Sequence, residues 1–523
     1  MPKQAGFVLH MLLLLPVLSA CSDPVAEAPV VQEVSAAASA SELAATMFAS
    51  MGGLAALEEV ETLVMQGSGW RMHLGQIPAT GAAEPRGELT ALTETIDLRN
   101  GRAAFDNLIQ VGEGFSQHRT EALTTWQGQY LGWGTTEGRP NIVTSVNGLF
   151  SWATHNTPEF LLRRNPVTIA LSAATLPAGL QAEKRMLDGS EYWYFETSLK
   201  DETIGLYLDM QSAVLRAWSA LDTETMWGDT NALYVLDDWR QVDGLRLPFS
   251  LEIRKDDGIY ASLQYDSIRL NTAEELAVFT VPADVSGQAD AVVAANGAAW
   301  VPLQWNPVAE HVFHAVAFSH HSMVVEFPSF VAVVEAPYTE AQSLTLARLI
   351  EEQLGKPIRY VVPTHPHYDH TGGVRALVGL GASVLVAAGH EAELRMIVES
   401  PHSNPPDLLA RNRQAGLPVG QVTVFRGMEV LSEGEQSLQL HEVMGIPHVS
   451  PKVLPFVPAT GVLFQSDLFF GGPGPDATAL AAAIDALALQ VQQIVGGHGG
   501  VLPYSVLQSA VAEPLEASED AEQ

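Results

Sequence analysis

Within Thr364-His365-Pro366-His367-Tyr368-Asp369-His370, three imidazoles and a carboxylate fall inside six consecutive positions. Imidazole nitrogen and carboxylate oxygen are good ligands for a borderline divalent ion such as Zn²⁺. On an extended chain, residues two apart point the same way, so a strand carrying His365 and His367 lets them grip one ion together. Asp369 and His370, expected just past the strand end, can turn toward a second ion. A chance run of polar residues would be solvated and interrupted by Lys or Glu. Here the run follows the apolar stretch 358–362, read as a short buried strand, and precedes Thr371-Gly372-Gly373, where the chain can turn sharply. Two ions about 3.5–4 Å apart can hold a water between them, lower its pKa toward neutrality and polarise a substrate oxygen. Such a site hydrolyses without a Ser or Cys nucleophile.

The His-x-His-x-Asp-His spacing resembles the signature of the metallo-β-lactamase superfamily. The resemblance implies an α/β fold, a four-layer αββα sandwich in the C-terminal half, and three later ligands at strand ends. His448, in Gly445-Ile446-Pro447-His448, would complete the first site with His365 and His367. Asp467, in Leu463-Phe464-Gln465-Ser466-Asp467, would bridge two Zn²⁺ ions. His498, in Gly496-Gly497-His498-Gly499, would complete the second site with Asp369 and His370. Order and spacing agree over 306–506. Asp369 would orient the zinc-bound hydroxide and pass a proton to the leaving group. The third ligand sits in Ile-Pro-His-Val-Ser, where many members have Gly-His-Thr. With Val334-Glu335-Ala336-Pro337 and the segment 356–362, this resembles a less-studied branch of bacterial hydrolases.

The resemblance also ranks the chemistry. Di-iron oxidoreductases of the superfamily usually place a carboxylate at the middle histidine, so His367 and His370 favour zinc hydrolysis. A bridging Asp467 resembles thioesterases, lactonases and phosphodiesterases more than true β-lactamases, so a lactone, thioester or phosphoester ranks ahead of a β-lactam. One iron, as in a mono-iron sulfur oxidoreductase, is the alternative metal. A lipid- or lipoprotein-binding periplasmic lipoprotein with a degenerate hydrolase domain is the alternative from another class; the presence of every ligand candidate counts against it. His320, His321 and Tyr368 are read as substrate contacts, the histidines because the turn before the first core strand can approach the metals in this fold. His441 is read as a strand position or a partner behind a ligand, and His311, His314, His390 and His402 as surface residues. The loop 400–416 is expected to select the substrate.

The elements that must position these residues are legible in two periodicities. Residues 301–508 alternate strands with helices, the pattern of a layered α/β domain. The runs 324–326 and 330–335 read as a hairpin. Thr339 offers an N-cap with Gln342 three residues on, and Leu344, Ala347, Leu349, Ile350 and Leu354 supply the apolar face of the helix that follows. Residues 41–285 read as a β-rich domain of antiparallel sheet. A helix over 41–51 is stopped by Gly52-Gly53, and Asn100-Gly101, Asp188-Gly189, Asp243-Gly244 and Asp257-Gly258 mark tight turns. This half resembles the curved sheets of periplasmic lipoprotein-sorting carriers. His73, His118 and His155 are scattered, and no catalytic constellation is read there; such a sheet could capture a hydrophobic ester for the metals. Residues 286–300, rich in Ala and Gly, read as a linker.

The N-terminus reads as an address. Lys3 is followed by an apolar run over 6–20, too short to span a bilayer, which ends in Leu18-Ser19-Ala20-Cys21. This resembles a bacterial lipobox, and Cys21 is the only cysteine, so it cannot close an intrachain disulfide. Residues 1–21 are expected to be a lipoprotein signal peptide with lipidation at Cys21, 22–40 a tether, and 509–523 an acidic tail. Secretion and a lipid hold on the membrane follow. Ser22 stands where an Asp would favour the inner membrane, so the outer membrane facing the periplasm is expected. A net charge of -33 argues against nucleic acid and against a polybasic membrane contact. The expected partners are therefore a small ester-like substrate and the membrane; the sequence leaves the oligomeric state open.

Overall fold

The computed structural model describes residues 38–73, 75–76, 84–111, 115–146, 148, 158–200, 202–256, 258–272 and 274–512. Cys21, the leader, nearly all of the tether, His155 and the tail beyond Ala512 lie outside the described residues.

The first half is a sheet of fourteen strands, all paired antiparallel. Its first helix, Ala40–Met51, is capped by Ser39 and closed by Gly52 at φ 113°, a conformation only glycine adopts without strain. Asn100-Gly101 joins Arg86–Asp97 to Arg102–Val111, Asp188-Gly189 joins Gln181–Leu187 to Ser190–Leu199, and Asp243-Gly244 joins Gly228–Val242 to Leu245–Lys255. Asp257, of the fourth turn dipeptide, lies outside the described residues. The strands Thr62–Met72 and Gly258–Leu270 pair mid-sheet and so join its two halves. Helices Ala40–Met51 and Pro166–Leu171 contribute Met47, Met51 and Ile169 to a core that includes Ile96, Leu206, Trp218 and Tyr234. The rings of Trp218 and Tyr234 stack at 4.8 Å.

The stretch read as a linker is ordered. Ser286–Ala294 is a helix that lays Ala289 and Val292 against Phe279 and against Trp133 and Val143 of the sheet's far end. Alanine is the strongest helix former, and its density here outweighs Gly287. The tether ends earlier than expected, since Ala38–Ser39 pairs with Gln181 and Ala182.

The second half is a four-layer αββα sandwich. Seven strands run from Gln304–Ala309 to Val422–Phe425, and six from Met428–Glu433 to Val501–Pro503. Val325, Ala332, Val334, Val362, Leu438, Leu440, Val453 and Phe464 fill the space between the sheets. Helices Glu340–Leu354, Val374–Gly379 and Glu391–Glu399 cover the first sheet, and Pro475–Ala486 and Tyr504–Ala512 cover the second. Thr339 caps Glu340–Leu354, its hydroxyl accepting from the Gln342 N–H at 3.2 Å. The two halves are stitched together. Asp229 on the first sheet accepts from the Ser403 N–H and hydroxyl, and Asn404 donates to the Leu221 carbonyl.

Candidate metal centre

The strand Ile358–Val362 ends before the histidines begin. His365 and His367 lie in the loop beyond it, so strand alternation does not orient them; the helical turn Tyr368–Thr371 that follows carries Asp369 and His370. His448 follows the strand Gln436–Val443, Asp467 follows Val462–Ser466, and His498 follows Gln493–Gly496. All seven expected ligands thus emerge at one end of the sandwich.

They form two groups. His365, His367, His448 and Asp467 each offer a ligand atom within 4.8 Å of the others, and so do His320, Asp369, His370 and His498. Asp467 lies between the groups, its Oδ2 standing 3.4 Å from His365 Nε2, 2.7 Å from His448 Nε2 and 3.5 Å from His370 Nε2. Nε2 of His365, His370 and His448 is buried without a hydrogen-bond partner. Orphaned buried nitrogens are costly, and three aimed at one carboxylate oxygen make a donor set that a divalent cation satisfies. The residues present therefore fit two metal ions.

The residues behind the ligands set their orientation. Glu335 is wholly buried; its Oε2 accepts from His370 Nδ1 at 2.7 Å, and its Oε1 from the hydroxyls of Thr364 and Ser466 at 2.5 and 2.6 Å. A carboxylate on Nδ1 leaves Nε2 of His370 as the ligand atom. Thr364 Oγ and Lys452 Nζ both face His365 Nδ1, at 2.9 and 3.1 Å, and hold the ring with Nε2 toward Asp467. Lys452, wholly buried, donates to Asp467 Oδ1. Burial alone would push Asp467 up, yet Lys452, His365 and His370 hold its carboxyl well below the usual range. Burial, with Lys452 adding, pushes His365 well below the usual imidazole range, and burial takes His498 down to about 2. Imidazoles kept neutral are ready ligands. Although burial opposes it, Glu335 and Asp369 hold His370 well above that range, so an ion binding there displaces a proton. Glu335 and Ser466 sit at φ 62° and 63°, so two of the residues behind the ligands hold a left-handed backbone.

Asp369 has further partners. Its Oδ2 accepts from His320 Nε2 at 2.8 Å, and its Oδ1 accepts from Gln76 Nε2 at 2.6 Å. Gln76 belongs to the first sheet domain, and the Gly75 carbonyl beside it accepts from the Tyr368 N–H at 2.9 Å. Gly75 has φ 72°, and a Cβ there would lie 2.9 Å from the Tyr368 Cβ. A side chain would hold the two domains apart at this point. Beside Asp369 and His498 a cavity of about 350 Å³ opens, and its far wall is the first sheet, with Arg71, His73 and Arg119.

The weaker assignments divide. His320 joins the second ligand group, whereas His321 points away, accepting from the Ala317 N–H and stacking edge-on with His314. Tyr368 is buried and lines the cavity. His441 is a strand residue beside Gln439. His314, His390 and His402 are buried, against expectation; His314 and His390 hydrogen-bond the Gly496 and Pro451 carbonyls, and His402 lies 3.7 Å from Asp407. His311 is exposed, as expected. The 400–416 segment docks on the first sheet and does not line the cavity. Gln76, Lys452 and the buried arginines were missed. Glu335 was noticed as part of a motif but not as a partner of His370.

Residues 316–498 match the model of the metallo-beta-lactamase superfamily. Solved structures similar to this chain include a metallo-beta-lactamase from Pontibacter korlensis, at 19% identity over 40% of this chain and 98% of that one, with a TM-score of 0.33. Another is from Pseudomonas aeruginosa in a mono-zinc form, at 21% identity over 40% and 94%, with a TM-score of 0.32. A third is from Hirschia baltica, at 19% identity over 40% and 96%, with a TM-score of 0.30. The C-terminal half of this chain carries a metallo-β-lactamase superfamily domain, set behind a large antiparallel sheet.

Proposed function

We propose that the protein is a zinc-dependent hydrolase that holds two ions and cuts a lactone, thioester or phosphoester, ahead of a β-lactam. The observation that carries this reading is the convergence of orphaned imidazole Nε2 atoms on Asp467 Oδ2. His365, His367 and His448 would hold one ion, Asp369, His370 and His498 the other, with Asp467 shared. When bound, the ions supply Lewis acidity and a water activated at neutral pH.

The chain's own groups do the rest. Gln76 and His320 hold both oxygens of Asp369, so its carboxylate is aimed before substrate arrives. His320 Nδ1 stands 2.5 Å from the Ser319 hydroxyl, which lies 2.9 Å from the Tyr338 hydroxyl. This row of groups fixes the ring of His320, so that its Nε2 donates to Asp369 Oδ2. The sheet wall over the cavity limits water access on that side.

Secretion and an outer-membrane lipid anchor at Cys21 are part of the proposal and rest on the sequence of the N-terminus alone. The test is elemental analysis of protein lacking its first 21 residues, beside Asp467→Ala. About two zinc ions per chain, reduced in the variant, together with hydrolysis of a lactone, thioester or phosphodiester, are expected. One iron per chain would move the reaction to sulfur oxidation, and no retained metal would favour a binding lipoprotein.

A further inference from the structure

The cavity beside Asp369 has an unusual charge. Among the described residues lining it, Asp369 is the only carboxylate, and it is already engaged by Gln76 and His320. Facing it are Arg71 and Arg119 on the first sheet, with Arg139 at the rim. Arg71 is only 6% exposed, yet makes no ion pair or hydrogen bond among the described residues. Arg119 is 8% exposed, donates to Gln117 and stands 3.9 Å from the Glu121 carboxylate. Desolvating a guanidinium is costly unless a counter-charge or acceptors replace water. In a chain with 60 acidic and 27 basic residues, acidic partners are abundant, so leaving Arg71 without one is informative. Between them lies His73, whose Nε2 is buried without a partner. Burial, with both arginines adding, pushes His73 down to about 3, so the imidazole is neutral and does not increase the repulsion.

We propose that this wall is a subsite for an oxyanion carried by the substrate: a carboxylate or phosphate group seats on Arg71 and Arg119 while the bond to be cut lies against Asp369 and His498. The guanidinium fork matches either anion, and a cavity of about 350 Å³ suits a small acid rather than a long acyl chain. The subsite is built by the sheet domain, which thereby sets the substrate class. The sheet takes the charged end of the substrate, in place of the hydrophobic ester its strand pattern suggested.

The assignment rests on the hydrolase reading, and its test separates the two. Mono-4-nitrophenyl glutarate and 4-nitrophenyl valerate differ only in a terminal carboxylate against a methyl group. The metal-loaded full chain is expected to favour the glutarate ester by about 10-fold or more in kcat/KM, the scale of one charge-assisted hydrogen bond. Arg71→Gln and Arg119→Gln should each lower that preference by about 10-fold, mainly through KM, with Arg71→Lys retaining part of it. In parallel, glutarate and inorganic phosphate are titrated calorimetrically into the metal-free full chain, and the tighter of the two identifies the anion. Equal use of both esters by the wild type overturns the subsite and leaves the hydrolase reading standing. Cleavage of neither ester and of no lactone, thioester or phosphodiester, with anion binding that Arg71→Gln abolishes, keeps the subsite and removes the hydrolase reading. If a glutamine variant fails to fold, the wild-type preference and the Arg71→Lys series still decide.

Discussion

Replacing Glu335 with Gln separates the ligands from what holds them. The change keeps the shape of a wholly buried side chain, which matters because a Cβ added at Gly497 would already lie 2.7 Å from its Oε2. In the wild type that oxygen accepts from His370 Nδ1 at 2.7 Å, and the other accepts from Thr364 and Ser466. The new amide has two orientations. With its NH₂ toward His370, two donors meet, and relief comes from moving the imidazole proton to Nε2, where it occupies the ligand position. With its oxygen toward His370 the tautomer is kept, but the charge is lost and the NH₂ meets two hydroxyls that must turn to accept. Loss of a hydrogen bond to a charged group costs about 1.5–3 kcal/mol. Loss of a carboxylate behind a metal-bound histidine weakens metal binding about 10–100-fold, or about 1.4–2.7 kcal/mol. The two scales agree. Zinc at the His370 site should therefore weaken by about 10–100-fold. The His365 site should weaken less, because Glu335 reaches His365 only through Thr364. Competition with a chromophoric chelator resolves the two binding steps, and thermal unfolding of the metal-free protein checks the fold. Unchanged affinity at both steps in a folded variant would refute the role given to Glu335.

Three further outcomes are expected. Burial pushes the Glu94 carboxyl up to about 7, with the Tyr265 hydroxyl donating to it at 2.8 Å. The unfolded chain gives up this proton first, so Glu94 supports the fold at low pH and its contribution is lost as pH rises through about 7. Glu94→Gln should be up to ~3 kcal/mol more stable than wild type at pH 8 and nearly equal at pH 4.5; a gap that does not grow with pH in urea unfolding contradicts this. Lys452→Met leaves Asp467 without its buried cation and should cost the metal-free protein about 3–5 kcal/mol, part of it recovered with zinc; an equal loss with and without zinc would reduce Lys452 to packing. Gly75→Ala forces a left-handed residue against Tyr368 and should cost about 1–3 kcal/mol while lowering hydrolysis, read by unfolding and kcat together.

The metal half was legible because its chemistry is local. Residues 365–370 declare a ligand cluster by composition, and the helix after Thr339 follows from a cap and an apolar stripe. Hairpins of the first sheet could be read for the same reason, since a positive φ at Gly101, Gly189 and Gly244 is a property of single residues. What could not be read is what depends on distant pairing. Gln76 meets Asp369 across 293 positions, and Lys452 meets Asp467 only because neighbouring strands turn both inward. Nothing local distinguishes Gln76 from any loop glutamine, or Arg71 from any strand arginine. The burial of His314 and His390 does not show in the sequence, because each is tied to a carbonyl supplied by a distant segment.

Charge explains why the sheet should belong to the site. With two divalent ions in place, the ions and Lys452 outweigh Asp369, Asp467 and Glu335, so the centre is positive before any substrate arrives. An enclosing wall meant for a neutral ester needs no buried cations. The wall instead presents Arg71, buried without an ion pair among the described residues, beside Arg119. The cost of burying Arg71 there is offset when an anion shares the site. The close passage of Gly75 over Tyr368, with Gln76 donating to Asp369, holds the wall against the ligand loop, so the charge preference and the metal geometry are set together.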